Sequence, residues 1–272
     1  MEHVITIALA WILFAATHIG LAAAPISDPL RAKLGAQGFL ALFSVVAVIT
    51  LGLLVNLYAG ASTLGPAGLA LGRIEGVRFA LIGLSGFGVV CIIAALTDYP
   101  LSAYAMSSAG QKPEPRGFER ITRHGFAIGL SLVAVAHALL ATKLTGTVFF
   151  SALALFGILG SMHQDAKLRA RHTEEHSEYL AKTSLFPFVA ILAGRNRLVL
   201  AELRTSGLIA GLVVAWMLRE AHPSIFAGGG IYVMATVVGG AMLATIQDAR
   251  RAKRKARTRN APPSSLHPHH AA

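Results

Sequence analysis

Residues 124–162 read HGFAIGLSLVAVAHALLATKLTGTVFFSALALFGILGSM, a stretch whose single formal charge is Lys143, near its middle. Two apolar runs, His124–Thr142 and Thr147–Met162, meet at that lysine. An amphipathic helix of a soluble domain keeps one charged face, and neither run has one, so each calls for apolar surroundings on every side. A hydrocarbon core about 30 Å thick needs roughly 17–25 apolar residues per crossing, with every backbone N–H and C=O paired inside the helix. Working outward, comparable runs cover Val4–Ala23, Gly38–Ala59, Gly76–Leu96, Thr205–Leu218 and Phe226–Ile246. The chain therefore predicts an all-α polytopic transmembrane helix bundle of about seven spans. The run Thr205–Leu218 is the shortest, closed between Arg204 and Arg219. Ser184–Ala193 is apolar, short and interrupted by Pro187, which reads as an interfacial or re-entrant piece.

Composition agrees. Of 272 residues 54% are apolar and only 14% charged, against about 25% charged in soluble domains. The net charge of +11 does not point to nucleic acid, because the basic residues lie between apolar runs and in the tail. With the N terminus outside, twenty Lys and Arg residues fall inside and four, Arg73, Arg78, Lys143 and Arg219, outside. Seven spans with N out and C in thus satisfy the positive-inside rule. Residues 1–222 form the membrane domain, 223–249 a final transmembrane helix, and 250–272 a basic, His-containing tail expected to be disordered. The short N terminus, which lacks a basic leader region, suits a bacterial inner membrane. The lone Cys91 supports neither a disulfide nor a structural zinc site and reads as packing.

Histidine within a bilayer needs a partner, a cavity or a ligand. His18 and His137 lie well inside apolar runs among alanines and glycines, while His124 and His163 stand at run ends. Small neighbours leave room for a flat cofactor, and imidazole is an axial ligand of haem iron. They equally permit close helix packing around a hydrogen-bonded histidine, and composition alone favours that second reading. Asp98 and Asp165 terminate runs and read as solvated ends; His172, Glu174, Glu175, His176 and Glu178 read as a charged exposed face. No Ser/His/Asp arrangement stands out for catalysis.

Three stretches taken together carry a resemblance: FAATHIGLAAAPISDPLRAKLGAQGFLALFSVVAV (14–48), ITRHGFAIGLSLVAVAHALL (121–140) and LGSMHQDAKLRARHTEEHSEYLAKTSLFPFVAILAGR (159–195). In order and spacing they resemble the NnrU family, whose plant relatives are the 15-cis-zeta-carotene isomerases, from about Trp11 to the His222-Pro223 pair. In the plant branch the resemblance implies haem b whose redox-switched ligation supports cis–trans isomerisation of an apolar polyene; in bacteria it implies an association with nitrogen-oxide respiration (denitrification). By resemblance His18 and His137 are the axial ligands, with His124 and His163 in supporting positions. Arg116, Arg120 or Arg123 would pair the haem propionates at the inner face. Ala134 stands where the plant enzymes carry a cysteine proposed to exchange with the second ligand, and Gly125 stands where the family has proline.

At 1.5 Å per residue His18 lies about 21 Å from the outer end of its run and His137 about 8 Å from the outer end of its own, which keeps the pair His18 with His124 open. RHGFAIG also resembles the R-H-P-x-Y-x-G signature of isoprenylcysteine-type membrane methyltransferases, retaining Arg123, His124 and Gly129, which would imply S-adenosylmethionine. A non-catalytic accessory of a respiratory complex is the third expectation. The partners expected are the lipid bilayer, an apolar small molecule and a respiratory complex.

Overall fold

The computed structural model describes residues 1–98, 114–171, 173–222, 230–236, 238, 239 and 242. The helices are α1 (Glu2–Ala22), α2 (Ala24–Ala61), α3 (Glu75–Asp98), α4 (Gly125–Leu140), α5 (Leu144–Arg171), α6 (Thr173–Lys182), the single turn α7 (Val189–Leu192) and α8 (Thr205–Ala221). Single 3-10 turns occupy Leu71–Arg73, Gly117–Arg120 and Leu200–Glu202. Among the described residues no strand forms, and the only extended pairing is a bridge between Ala67 and Lys143. Four helices are long and apolar enough to cross a membrane, α1, α2, α3 and the Leu144–Lys167 part of α5, with α4 a shorter apolar fifth. The chain is an all-helical membrane bundle. Of the expected last span only residues 230–236, 238, 239 and 242 are described, and the basic tail lies outside the described residues.

Element boundaries move for identifiable reasons. The second apolar run begins at Gly38, but α2 is helical from Ala24, because Pro25 at its first turn has the φ a helix start requires. The two pieces join at Gly35, where φ 72 and ψ 169 break the helix. Only glycine adopts that conformation without strain. The fifth apolar run ends at Met162, yet α5 continues to Arg171 through QDAKLRAR, a sequence of mostly good helix formers.

The core has two characters. Where α1, α2 and α5 meet, it is aromatic: Tyr58 stacks on Phe149 at 4.0 Å, and Trp11 and Phe14 pack on Phe149 and Phe156. Where α3 meets α4 it is built from small residues. A Cβ on Gly88 would stand 2.6 Å from the Gly129 carbonyl oxygen, and one on Gly129 2.5 Å from that of Gly88. The two backbones touch there, and only glycine on both helices allows it. Helix α5 links the halves, packing on α1 and α4, while α8 covers the other side of α3.

The outward faces remain apolar: Ile5, Leu9 and Ile12 on α1, Val45 and Ile49 on α2, and Leu212, Trp216 and Met217 on α8 are exposed. Side chains of this kind in rows along consecutive helices are what a bundle presents to lipid. At one end of the bundle the α2–α3 connection is fastened to the α4–α5 turn. Gly68 and Ala70 donate to the carbonyls of Thr142 and Ala141, and Leu144 donates to that of Pro66, each at 2.9 Å.

Candidate functional site

Two groups of polar side chains interrupt this apolar architecture, one at each end of α4. The first surrounds its N-terminus. Gly125 opens the helix against α3, where a Cβ would come within 2.9 Å of Ala95 Cβ and 3.0 Å of the Phe118 ring. The preceding strand of chain, Ile121-Thr122-Arg123, is held by the segment 184–188. Thr122 Oγ1 donates to the Leu185 carbonyl at 2.6 Å, Arg123 N to that of Ser184 at 3.1 Å, and Phe188 N to that of Ile121 at 2.9 Å. That segment is itself cross-braced by Ser184 Oγ, which accepts from Ala190 N at 2.9 Å. The apolar Ser184–Ala193 piece is therefore a clamp on the Arg123-His124 dipeptide.

Thus fixed, Arg123 and His124 converge on Asp165 of α5. Arg123 donates through Nε and Nη2, the former 2.9 Å from Oδ2, and His124 Nε2 lies 2.7 Å from Oδ1. A carboxylate oxygen accepts, so Nε2 carries the imidazole proton. The Arg123 and His124 side chains are each 12% exposed and that of Asp165 6%. One carboxylate thus takes two charge-assisted contacts away from water. Beside them, Tyr179 of α6 is buried, and burial together with the neighbouring Glu119 carboxylate pushes its phenol well above the usual value.

A parallel ion pair ties the Gly117–Arg120 turn to the Leu200–Glu202 turn. Arg120 Nε and Nη2 meet the two Glu202 oxygens at 2.7 and 2.8 Å, and Nη1 donates to Asn196 Oδ1 at 2.9 Å. The Arg120 hydrogen bond is the main reason the Glu202 carboxyl sits below its ordinary value.

Three readings of the sequence are corrected here. Asp165 is a buried hub and not a solvated end. Asp98 is also buried; it accepts from Phe118 N at 3.2 Å and faces Arg204 Nε at 3.2 Å. His176 is 1% exposed and lies with Tyr179 and Leu180 on the inward side of α6, while Glu174 and Glu178 face outward. His172 lies outside the described residues. Of the three arginines considered for propionates, Arg123 and Arg120 are engaged by Asp165 and Glu202, and Arg116 lies 3.4 Å from Glu114.

The second group is at the opposite end of α4. His137, in the last turn of that helix, has Nδ1 2.8 Å from the Val133 carbonyl oxygen. A carbonyl only accepts, so the proton sits on Nδ1 and Nε2 keeps its lone pair. That Nε2 lies 3.4 Å from Nε2 of His222, the residue closing α8, and the Phe150 ring stands 4.9 Å from the His137 ring. His18 is elsewhere. Its ring lies among Phe14, Phe43 and Phe156 at 5.3, 4.9 and 5.4 Å, with Nδ1 buried and lacking a hydrogen-bond partner.

Phe150 and Phe156 are six residues apart on α5, about 9 Å along the axis and on different faces. His18 and His137 therefore touch α5 at separate levels and sides, and the structure does not bring them together across one slot. His124 belongs to the Asp165 cluster. His163, whose Nε2 is buried without a hydrogen-bond partner, precedes Asp165 by two positions and so leaves α5 on a face about 200° away. His137 presents an imidazole nitrogen that could hold a metal, and His18 lies in a separate aromatic surrounding. Among the described residues no group of three or more His, Cys, Asp or Glu side chains is placed to hold a bare ion.

These features define a class: a helical membrane protein with a buried Arg-His-Asp cluster at one end of a central helix and a pair of facing imidazoles at the other. The family model described as NnrU protein matches residues 6–228, and the chain belongs to the NnrU family. The chain matches no curated protein and no solved structure. Sequence reasoning singled out His124, Arg123 and His137 but missed Asp165 and His222. Both are joined to them across long sequence separations, and no local pattern signals either.

Proposed function

We propose that this NnrU-family protein is a haem-b-binding membrane protein of the bacterial inner membrane that ligates iron through His137. The observation that carries this reading is the His137 Nδ1 contact with the Val133 carbonyl, which fixes the tautomer and presents Nε2 as a Lewis base. Bound haem would supply a redox-active iron, chemistry suited to cis–trans isomerisation of a polyene.

The rest of the chain serves position. The Arg123-His124-Asp165 cluster and the 184–188 clamp hold one end of α4, and the bonds from Gly68 and Ala70 to the Ala141-Thr142 turn hold the other. His137, thirteen residues beyond His124, is carried on a helix fixed at both ends. The buried alanines Ala134, Ala136 and Ala138 let neighbouring helices close around it.

A second reading, a role in nitrogen-oxide respiration without isomerisation, gains support from Ala134. This fully buried residue offers no thiolate where the plant enzymes have cysteine. The methyltransferase alternative loses ground: Gly125 and Ala127 replace its proline and tyrosine, and Arg123 and His124 are both occupied by Asp165.

A pyridine haemochrome assay on protein purified from haem-supplemented cells tests the proposal. Haem b near one equivalent is expected for the wild type, with most of it lost in His137→Ala. Protein that stays colourless, or calorimetric binding of S-adenosylmethionine without haem, contradicts it.

A further inference from the structure

The segment from Ser184 to Leu200 does more than clamp the start of α4. Its single turn, α7, lies between two left-handed residues, Phe188 at φ 64 and Gly194 at φ 68, so the chain bends sharply on both sides of it. That backbone conformation strains a phenylalanine. Phe188 is held in it by donating its N–H to the Ile121 carbonyl at 2.9 Å and by stacking on Phe87 of α3 at 6.2 Å. Phe87 precedes Asp98, the last residue of α3, by about 16 Å along the axis, so the turn runs back beside a membrane-crossing helix.

Tip and base of this segment differ in character. At the turn Ala190 is buried, whereas Val189 and Leu192 project outward, Leu192 at 85% exposure, and Leu200 follows at 70%. At the base, Arg195 Nη1 donates to the carbonyls of Ala181 and Thr183 at 2.8 and 3.2 Å, which fixes the guanidinium level with the end of α6. Arg197 is exposed close by in sequence. Three other arginines at this end of the bundle are matched, Arg120 by Glu202, Arg123 by Asp165 and Arg204 by Asp98. Among the described residues no carboxylate faces Arg195 or Arg197.

An apolar tip this exposed calls for an apolar medium, and two unmatched arginines call for an anion. A phospholipid of net negative charge supplies both in one molecule, with acyl chains on one side of its phosphate. The planar guanidinium fork matches phosphate oxygens. We infer that residues 184–200 form a wedge seated in the bilayer interface and that it binds an anionic phospholipid, whose acyl chains lie against Val189 and Leu192 while Arg195 and Arg197 hold the phosphate. This site is independent of the haem reading, because it lies at the other end of α4 from His137.

The test uses the full chain in nanodiscs of phosphatidylcholine mixed with phosphatidylglycerol. In a Cys91→Ala background, a spin label on Leu192→Cys should meet oxygen more readily than a water-soluble nickel chelate, and one on Arg197→Cys should show the reverse order. Native mass spectrometry then counts the lipids retained. Preference for phosphatidylglycerol over phosphatidylcholine should fall about fivefold in Arg197→Gln and by about as much again when Arg195→Gln is added. Arg78→Gln, at the opposite end of α3, should leave that preference unchanged. The Arg197 guanidinium braces no other described residue, so the single variant reads lipid binding with the fold intact. A nickel-accessible label at position 192 overturns the wedge, as does a label shielded from both reagents, the mark of a protein partner at that surface. A wild type without lipid preference, or a preference unmoved by Arg197→Gln, overturns the headgroup assignment.

Discussion

Asp165 concentrates more electrostatic consequence than any other side chain described. Its carboxylate is the shared acceptor for Arg123 and His124, all three nearly out of water. Removing one member of a buried pair leaves the others charged without a partner, which costs about 3–5 kcal/mol. Asp165→Ala should therefore lower stability by about that amount in a detergent melt, and combining it with Arg123→Ala should cost less than the two changes summed. Additive losses would show that the three residues do not act as one unit.

Glu202 makes a different prediction. Its carboxyl is held below the ordinary 4.5 by Arg120, so the stabilisation is present above that pH and is lost as pH falls through the folded-state value. Melts of wild type and Glu202→Gln should differ at pH 7 and converge once the pH has fallen below the lowered folded-state value; a difference that persists in strong acid contradicts the assignment. Both acids were invisible as partners in the sequence because Asp165 meets Arg123 across 42 residues and Glu202 meets Arg120 across 82. His124 and Arg123 were legible, since basic residues at the edge of an apolar run demand an explanation by themselves.

Among the elements, the α3–α4 crossing is the most sensitive. At Gly129 any Cβ lies 2.5 Å from the Gly88 carbonyl oxygen, so the helices must separate to admit it. Gly129→Val should destabilise the bundle by about 1–3 kcal/mol, read as a lowered midpoint in detergent; a midpoint equal to the wild type would mean the helices are not in contact there. The apolar runs identified the membrane helices because length and absence of charge suffice for that. Their ends were less legible. The continuation of α5 through polar helix formers and the start of α2 at Ala24 depend on propensity and on Gly35, neither of which changes the hydropathy. The buried face of α6 was read as exposed because its composition is polar. Tertiary contact, and not periodic hydrophobicity, turns His176 and Tyr179 inward.

At the scale of the whole molecule, the distribution of Lys and Arg makes a claim about orientation that the helices alone do not. With the N terminus outside, Lys143 lies outside and Arg169 inside. In a Cys91→Ala background, a membrane-impermeant thiol reagent added to intact cells should label Lys143→Cys and spare Arg169→Cys; the reverse pattern contradicts the topology. That orientation places the His137–His222 end of α4, next to Lys143, toward the outer face, and the Asp165 cluster toward the inner one.

The central claim, that an imidazole on α4 ligates haem iron, meets its most direct test in the visible spectrum of the detergent-purified protein, recorded oxidised and then reduced. A Soret band that sharpens and shifts on reduction, and that His137→Ala abolishes, is the expected result. A protein without that band after haem has been supplied, or a spectrum indifferent to His137→Ala, would contradict it.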